Sequence, residues 1–280
     1  MKTIIIALTL ILLAHFCFSQ NAFKVEKSGE GNAIVFLPGF TTPGSVWDET
    51  IRHLDGQFES HVFTYAGFGG VEPIGTPWYS PLKDQIVNYI QEEDLSNVTI
   101  IGHSMGGNLA IDIALALPEK VSTLILVESI PCIRELMMPG VPASALQYDS
   151  PYNQQMLNMD EQAFNQMASG MAQNMTSNPE KQNEIKSWIL KADRETYVYG
   201  YTDLLKLDLR DQLSGITART LILGASFPDK NVVKTNYDSQ YSNLANKEIF
   251  IADDSKHFVM FDQPEWMYGK INSFLAQPIN

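Results

Sequence analysis

The chain has 280 residues, 45% of them hydrophobic and 18% charged, which suits a packed globule and excludes a disordered chain. That length fits one large domain, or one domain carrying an insertion. A formal net charge of −13 repels phosphate backbones, so nucleic acid is excluded as a natural partner.

The first stretch, MKTIIIALTLILLAHFCFSQ, carries Lys2, an apolar run from Ile4 to Ala14 and then smaller residues. This is the pattern of a secretory signal over residues 1–19, with cleavage expected between Ser19 and Gln20. The apolar run is short for a membrane helix and has no stop-transfer flank, so no stable membrane anchor is expected. The segment before Cys17 lacks the small residues of a lipoprotein site. Export leads to the periplasm or the medium, where disulfides are permitted. Cleavage removes Cys17, however, and leaves Cys132 alone as a small buried residue. No His/Cys/Asp cluster has zinc-ligand spacing, and neither metal nor organic cofactor is expected.

Beyond the signal, β-rich apolar runs alternate with helical patterns. Strands are expected at 33–37, 61–66, 98–102, 122–128, 220–224 and 247–252, and their near-continuous apolar runs suit strands buried on both faces. Helices are expected at 45–54, 81–94, 105–117 and 264–276. For the last, Asp262 is the expected cap and Pro264 fits the first turn. Such alternation predicts an α/β fold, a mostly parallel sheet with helices on both faces. From Cys132 to about Tyr199 the rhythm breaks and no strand is evident. The core therefore spans 20–131 and 200–280, with a helical cap inserted at 132–199.

Gly102-His103-Ser104-Met105-Gly106 lies where a strand ends and a helix begins. The pattern G-x-S-x-G at such a junction is a nucleophile elbow: the serine sits on a sharp, strained turn with its hydroxyl exposed, and the glycines let strand and helix approach. The backbone N–H of Met105, at the helix start, faces a developing oxyanion. A serine hydroxyl needs a base. His53 lies on a helix, His61 opens a strand and His103 lies within the elbow. His257 lies between the last strand and the last helix, where the order serine, acid, histidine places the base.

FLPGFTTPGSVWDE, TYAGFGG, IIGHSMGGNLA, LVESIP and KHFVMFDQPEW together resemble the α/β-hydrolase superfamily over nearly all of the chain beyond the signal. Within it, the chain more closely resembles a group of exported bacterial members with a short helical cap. The resemblance implies that Phe40, after the first long strand, supplies the second oxyanion N–H. Pro38 stands where members often have a histidine. Two carboxylates could orient His257. The usual superfamily position, after 220–224, offers Asp229 at unusually long spacing. A second position, after 122–127, offers Glu128, which is preferred, with Asp229 as the alternative. Asp253 and Asp254 are expected to shape the histidine loop.

Seven of the eleven methionines fall between Met137 and Met175, with Met167, Met171 and Met175 on one helical face. They suit cap packing, or an adaptable apolar pocket for an acyl or alkyl group. Trp47 and the 257–261 segment are expected to add apolar surface at the same mouth. No arginine cluster points to a phosphorylated substrate. The expected activity is hydrolysis of a small carboxylic ester through an acyl-enzyme on Ser104. Amide or lactone hydrolysis is the alternative, with Asp149, Asp160 and Glu161 available to hold a substrate ammonium. A non-catalytic binding protein on the same fold is the reading from another class.

Overall fold

The computed structural model describes residues 20–278; the expected signal segment, 1–19, lies outside them. One seven-stranded sheet organises the chain: β1 (Phe23–Gly29), β2 (Asn32–Leu37), β3 (Phe58–Tyr65), β4 (Val98–His103), β5 (Val121–Val127), β6 (Arg219–Ala225) and β7 (Lys247–Ala252). The spatial order is β1-β3-β2-β4-β5-β6-β7. Only β1 runs antiparallel to its neighbour; the other pairings are parallel. The sequence pattern does not mark β1, because FKVEKSG is an edge strand with mostly exposed, polar side chains.

Helices α1 (Asp48–His53), α2 (Tyr79–Glu92) and α3 (Met105–Ala116) fill the first half of the chain. Five helices intervene between β5 and β6: α4 (Ile133–Met137), α5 (Pro151–Leu157), α6 (Glu161–Met175), α7 (Pro179–Lys191) and α8 (Tyr201–Lys206). Then come α9 (Lys230–Gln240), α10 (Val259–Asp262) and α11 (Pro264–Leu275). The helical stretch after β5 thus continues past residue 199 into α8. There Asp203 accepts hydrogen bonds from the N–H groups of Trp78 and Tyr79 at the start of α2, at 2.8 and 3.2 Å.

The central strands are buried on both faces and alternate between two cores. On β4 and β5, Ile100, Leu124 and Leu126 join the core that contains α2 and α3. Ile101, Ile125 and Val127 join the other, with α11 and the inner faces of α6 and α7. This period of two produces helices on both faces of the sheet. Trp47 belongs to the second core, fully buried with its ring 6.0 Å from Phe36, rather than at the mouth of a site. An indole of that size gains more from burial under the sheet than from a half-exposed position.

Two helical details differ from expectation. Helix α9 carries KNVVKTNYDSQ, too polar to mark a core-facing stripe, yet Tyr237 and Gln240 are buried on its inner side. Asp262 does not cap the last helix; the residue before Pro264 in that role is Gln263, and Asp262 closes α10. Its carboxylate turns instead toward the end of α6.

Candidate active site

The carboxyl ends of parallel strands are where this architecture presents its functional groups. Ser104 follows β4 directly, with φ 53° and ψ −122°, a left-handed conformation costly for a residue with a Cβ. Its N–H donates to Val127 O at 2.9 Å, which pins the elbow to β5. Glycine is obligatory on both sides. A Cβ on Gly102 would lie 2.4 Å from Gly106 O, and one on Gly106 would lie 2.2 Å from Leu37 O. The Ser104 side chain does not cap α3, so its hydroxyl is left for other chemistry.

The loop after β2 lies against this elbow. A Cβ on Gly39 would be 2.8 Å from His103 Nδ1 and 3.4 Å from Ser104 Cβ. Phe40 therefore begins beside the serine. Among the described residues, neither the Phe40 N–H nor the Met105 N–H donates to a protein acceptor. Two uncommitted backbone donors next to one hydroxyl are the raw material of an oxyanion hole.

Glu128 follows β5 with φ 47°, and its N–H donates to Leu223 O at 2.8 Å. The turn aims its carboxylate across the sheet edge. Oε2 lies 3.2 Å from His257 Nδ1. Oε1 accepts from the Ala225 N–H at 2.6 Å and the Tyr237 hydroxyl at 2.9 Å. Burial, and then the adjacent Glu128 charge, push the Tyr237 phenol well above its ordinary range, so it keeps its proton and donates it. With Nδ1–H directed at Glu128, the Nε2 lone pair of His257 is free to face the serine. Among the described residues no hydrogen bond joins Ser104 to His257; contacts of this type are commonly long without substrate and tighten with it.

Asp229 is placed elsewhere. It is exposed, and its Oδ1 accepts from the N–H groups of Asn231 and Val232 at 2.9 and 3.0 Å, capping α9. Asp253 pairs with Lys230 at the surface. Asp254 has φ 49° in the turn that precedes His257.

Sequence reasoning passes over three contributors. Tyr237 sits on a polar helix that carries no periodic signal. Ala225 contributes only a backbone N–H. His103 is almost fully buried, and its Nε2–H donates to His257 O at 2.9 Å, which ties the elbow to the histidine loop. Burial, with His257 beside it, holds the His103 pKa well below its ordinary value.

An aromatic wall covers the Phe40 side chain. Its ring lies 4.9 Å from Phe68, 5.9 Å from Trp78, 6.0 Å from Tyr197 and 5.7 Å from Tyr201, centroid to centroid. Tyr197 and Tyr201 come from the one-turn π-helix Thr196–Gly200 and the start of α8. Met167, Met171 and Met175 are half-buried against the second core, and the Tyr197 hydroxyl meets Met171 S at 3.3 Å. Of the acids that could hold an ammonium, Asp160 caps α6 through the Ala163 N–H, while Asp149 and Glu161 are exposed.

Among the described residues no group of three or more His, Cys, Asp or Glu side chains is placed to hold a metal ion, and no helix is long and apolar enough to cross a membrane. A cleft of about 440 Å³ beside β1 and β3, lined by Lys24, Lys27, Asp48 and Arg52 among others, contains none of the residues discussed above.

Comparison with known proteins agrees with this architecture. The chain is 25% identical over 259 residues to a pimeloyl-[acyl-carrier protein] methyl ester esterase of Aeromonas hydrophila, covering 90% of this chain and 99% of that protein. In fold it resembles an esterase from Exiguobacterium antarcticum, with a TM-score of 0.75 at 23% identity, covering 91% of this chain and 96% of that one. An enol-lactonase from Burkholderia xenovorans shares the fold too, with a TM-score of 0.72 at 15% identity, covering 91% and 96% of the two chains. The sequence model of the alpha/beta hydrolase family matches residues 34–269, and the chain belongs to that family.

Proposed function

We propose that this protein is an exported serine hydrolase that cleaves small carboxylic esters. The observation that carries the proposal is the 3.2 Å contact of His257 Nδ1 with Glu128 Oε2, beside a serine held on a strained elbow. The ester-cleaving relative supports the reaction class, and its name makes a methyl ester a natural test substrate.

In this mechanism Ser104 Oγ attacks the ester carbonyl while His257 Nε2 accepts the hydroxyl proton. Glu128 holds the ring in the required tautomer and stabilises the imidazolium. The N–H groups of Phe40 and Met105 bind the oxyanion. The tetrahedral intermediate collapses, the proton on His257 passes to the leaving alcohol, and an acyl-enzyme remains. Water then attacks the acyl carbon, giving its proton to His257; the second tetrahedral intermediate collapses, the Ser104 Oγ–acyl bond breaks, the proton on His257 returns to Oγ and the acid departs. The apolar side chains around Phe40 favour an apolar acyl or alkyl group over a charged one.

The test is hydrolysis of p-nitrophenyl esters from acetate to palmitate by wild type and Ser104→Ala. The proposal expects turnover by wild type and a loss of at least about 10⁴-fold in the variant. The preferred chain length reports the room left by the aromatic wall. A folded wild type that ignores esters but opens lactones or cleaves amides would replace the substrate class; one that reacts with none of them would move the chain to a binding role. N-terminal sequencing of protein recovered outside the cytoplasm tests export, with Gln20 the expected first residue.

A further inference from the structure

The histidine loop is bound to the cap as well as to the elbow. The Phe258 N–H donates to Met175 O at 2.9 Å, and Lys256 Nζ donates to Gln173 O at 2.7 Å. Asp262 adds a further tie. Its Oδ1 accepts from the Thr176 hydroxyl at 2.6 Å and the Ser177 N–H at 2.9 Å, both just beyond α6. Its Oδ2 accepts from the Lys256 N–H at 2.8 Å, one residue before His257. One carboxylate thus joins the end of a cap helix to the peptide that carries the base. Bonds from a carboxylate to backbone N–H groups are charge-assisted and directional.

We propose that Asp262 is a positioning residue that couples docking of the cap to placement of His257. The inference rests on the esterase reading above. His257 is constrained from three directions. Asp262 holds the residue before it, Met175 holds the residue after it, and His103 holds its own carbonyl. The first two of these connections lead into the cap. A shift of α6 away from the sheet is transmitted through Thr176 and Asp262 to the imidazole, so the base is aligned only when the cap is seated. A misplacement of about 1 Å at such a group costs up to about 100-fold in rate.

The test uses Asp262→Asn and Thr176→Val in the full mature protein. In Asp262→Asn, whichever way the amide turns, either the cap or the loop loses its acceptor. Thr176→Val removes one of the two cap-side donors, leaving the Ser177 N–H on Oδ1, and keeps the bond to Lys256. The readouts are kcat and KM on p-nitrophenyl acetate and the rate at which a fluorophosphonate labels Ser104, both normalised to the labelled fraction. The coupling predicts a fall in kcat of about 10- to 100-fold for Asp262→Asn with KM changed by no more than about twofold. Thr176→Val should move kcat and labelling rate the same way by about 3- to 10-fold. Lowered melting temperatures with wild-type kcat per labelled site would overturn the proposal, leaving Asp262 a purely structural tie. A slow Asp262→Asn beside a Thr176→Val that melts lower yet keeps wild-type kcat and labelling rate would also overturn it, because a loosened cap tie would then leave the base in place. Failure of the esterase reading shows separately, in the wild type. If the wild type labels without turning over the ester, labelling rates carry the comparison. If it does neither, both readings fall together.

Discussion

Glu128 and Asp229 stand after neighbouring parallel strands, and both are placed where a hydrolase could use an acid. Glu128 follows its strand without a spacer. Its left-handed backbone turns the side chain across the sheet edge, where an N–H of β6 and a phenol of α9 hold one oxygen and His257 meets the other. Asp229 lies four residues beyond β6 in an exposed loop, and both of its hydrogen bonds go to the first turn of its own helix. The difference is one of placement. Each carboxylate anchors itself through one oxygen, but only the second oxygen of Glu128 meets His257, while Asp229 stays exposed at the start of its helix.

Substitution should separate the two strongly. Glu128→Gln preserves shape but replaces an acceptor facing Nδ1 by an amide able to stabilise the wrong tautomer. Its kcat on a p-nitrophenyl ester should fall by about 10³- to 10⁴-fold. A fall below about tenfold would return the role to another group. Tyr237→Phe removes one of the two donors anchoring Glu128 and should lower kcat by about 3- to 10-fold with KM little changed. An unchanged kcat would mean that the Ala225 N–H alone suffices.

The elbow histidine should give the fold a pH response of its own. His103 is held neutral by burial, so the unfolded chain takes up a proton more readily than the folded one as pH falls. Its contribution to stability is whole above the ordinary value of 6.5 and is lost progressively below it. Urea unfolding between about pH 7.5 and pH 5 should show wild type losing more stability than His103→Asn. Parallel pH dependence in the two proteins would contradict the assignment. The smallest effect belongs to Asp229→Ala. Loss of the cap on α9 should cost about 1 kcal/mol of stability and leave kcat at the wild-type value.

The contrast between the carboxylates also shows how far sequence reasoning reaches. The elbow is legible because its chemistry is local: two glycines forced by backbone contacts, a serine between a buried strand and a buried helix. His257 is legible from its place in the chain order. The strands of the sheet interior are legible because burial on both faces leaves apolar runs. Strand β1 is not, since a polar edge strand has the composition of a loop. Tyr237 and the turned Asp262 are invisible for a different reason. Each acts through a partner far away in sequence, Glu128 at a separation of 109 residues and Thr176 at 86. Local patterns predict a capping role for an aspartate before Pro264, but the docked cap offers its carboxylate better donors.

The central claim is that Ser104, His257 and Glu128 act as one catalytic unit. It is tested most directly by the rate at which a fluorophosphonate labels Ser104 in wild type, Glu128→Gln and Asp229→Ala, each verified as folded. The account predicts rapid labelling of wild type and of Asp229→Ala, and labelling slower by about 10³-fold in Glu128→Gln. Equal rates in wild type and Glu128→Gln, or a slow Asp229→Ala, would contradict it.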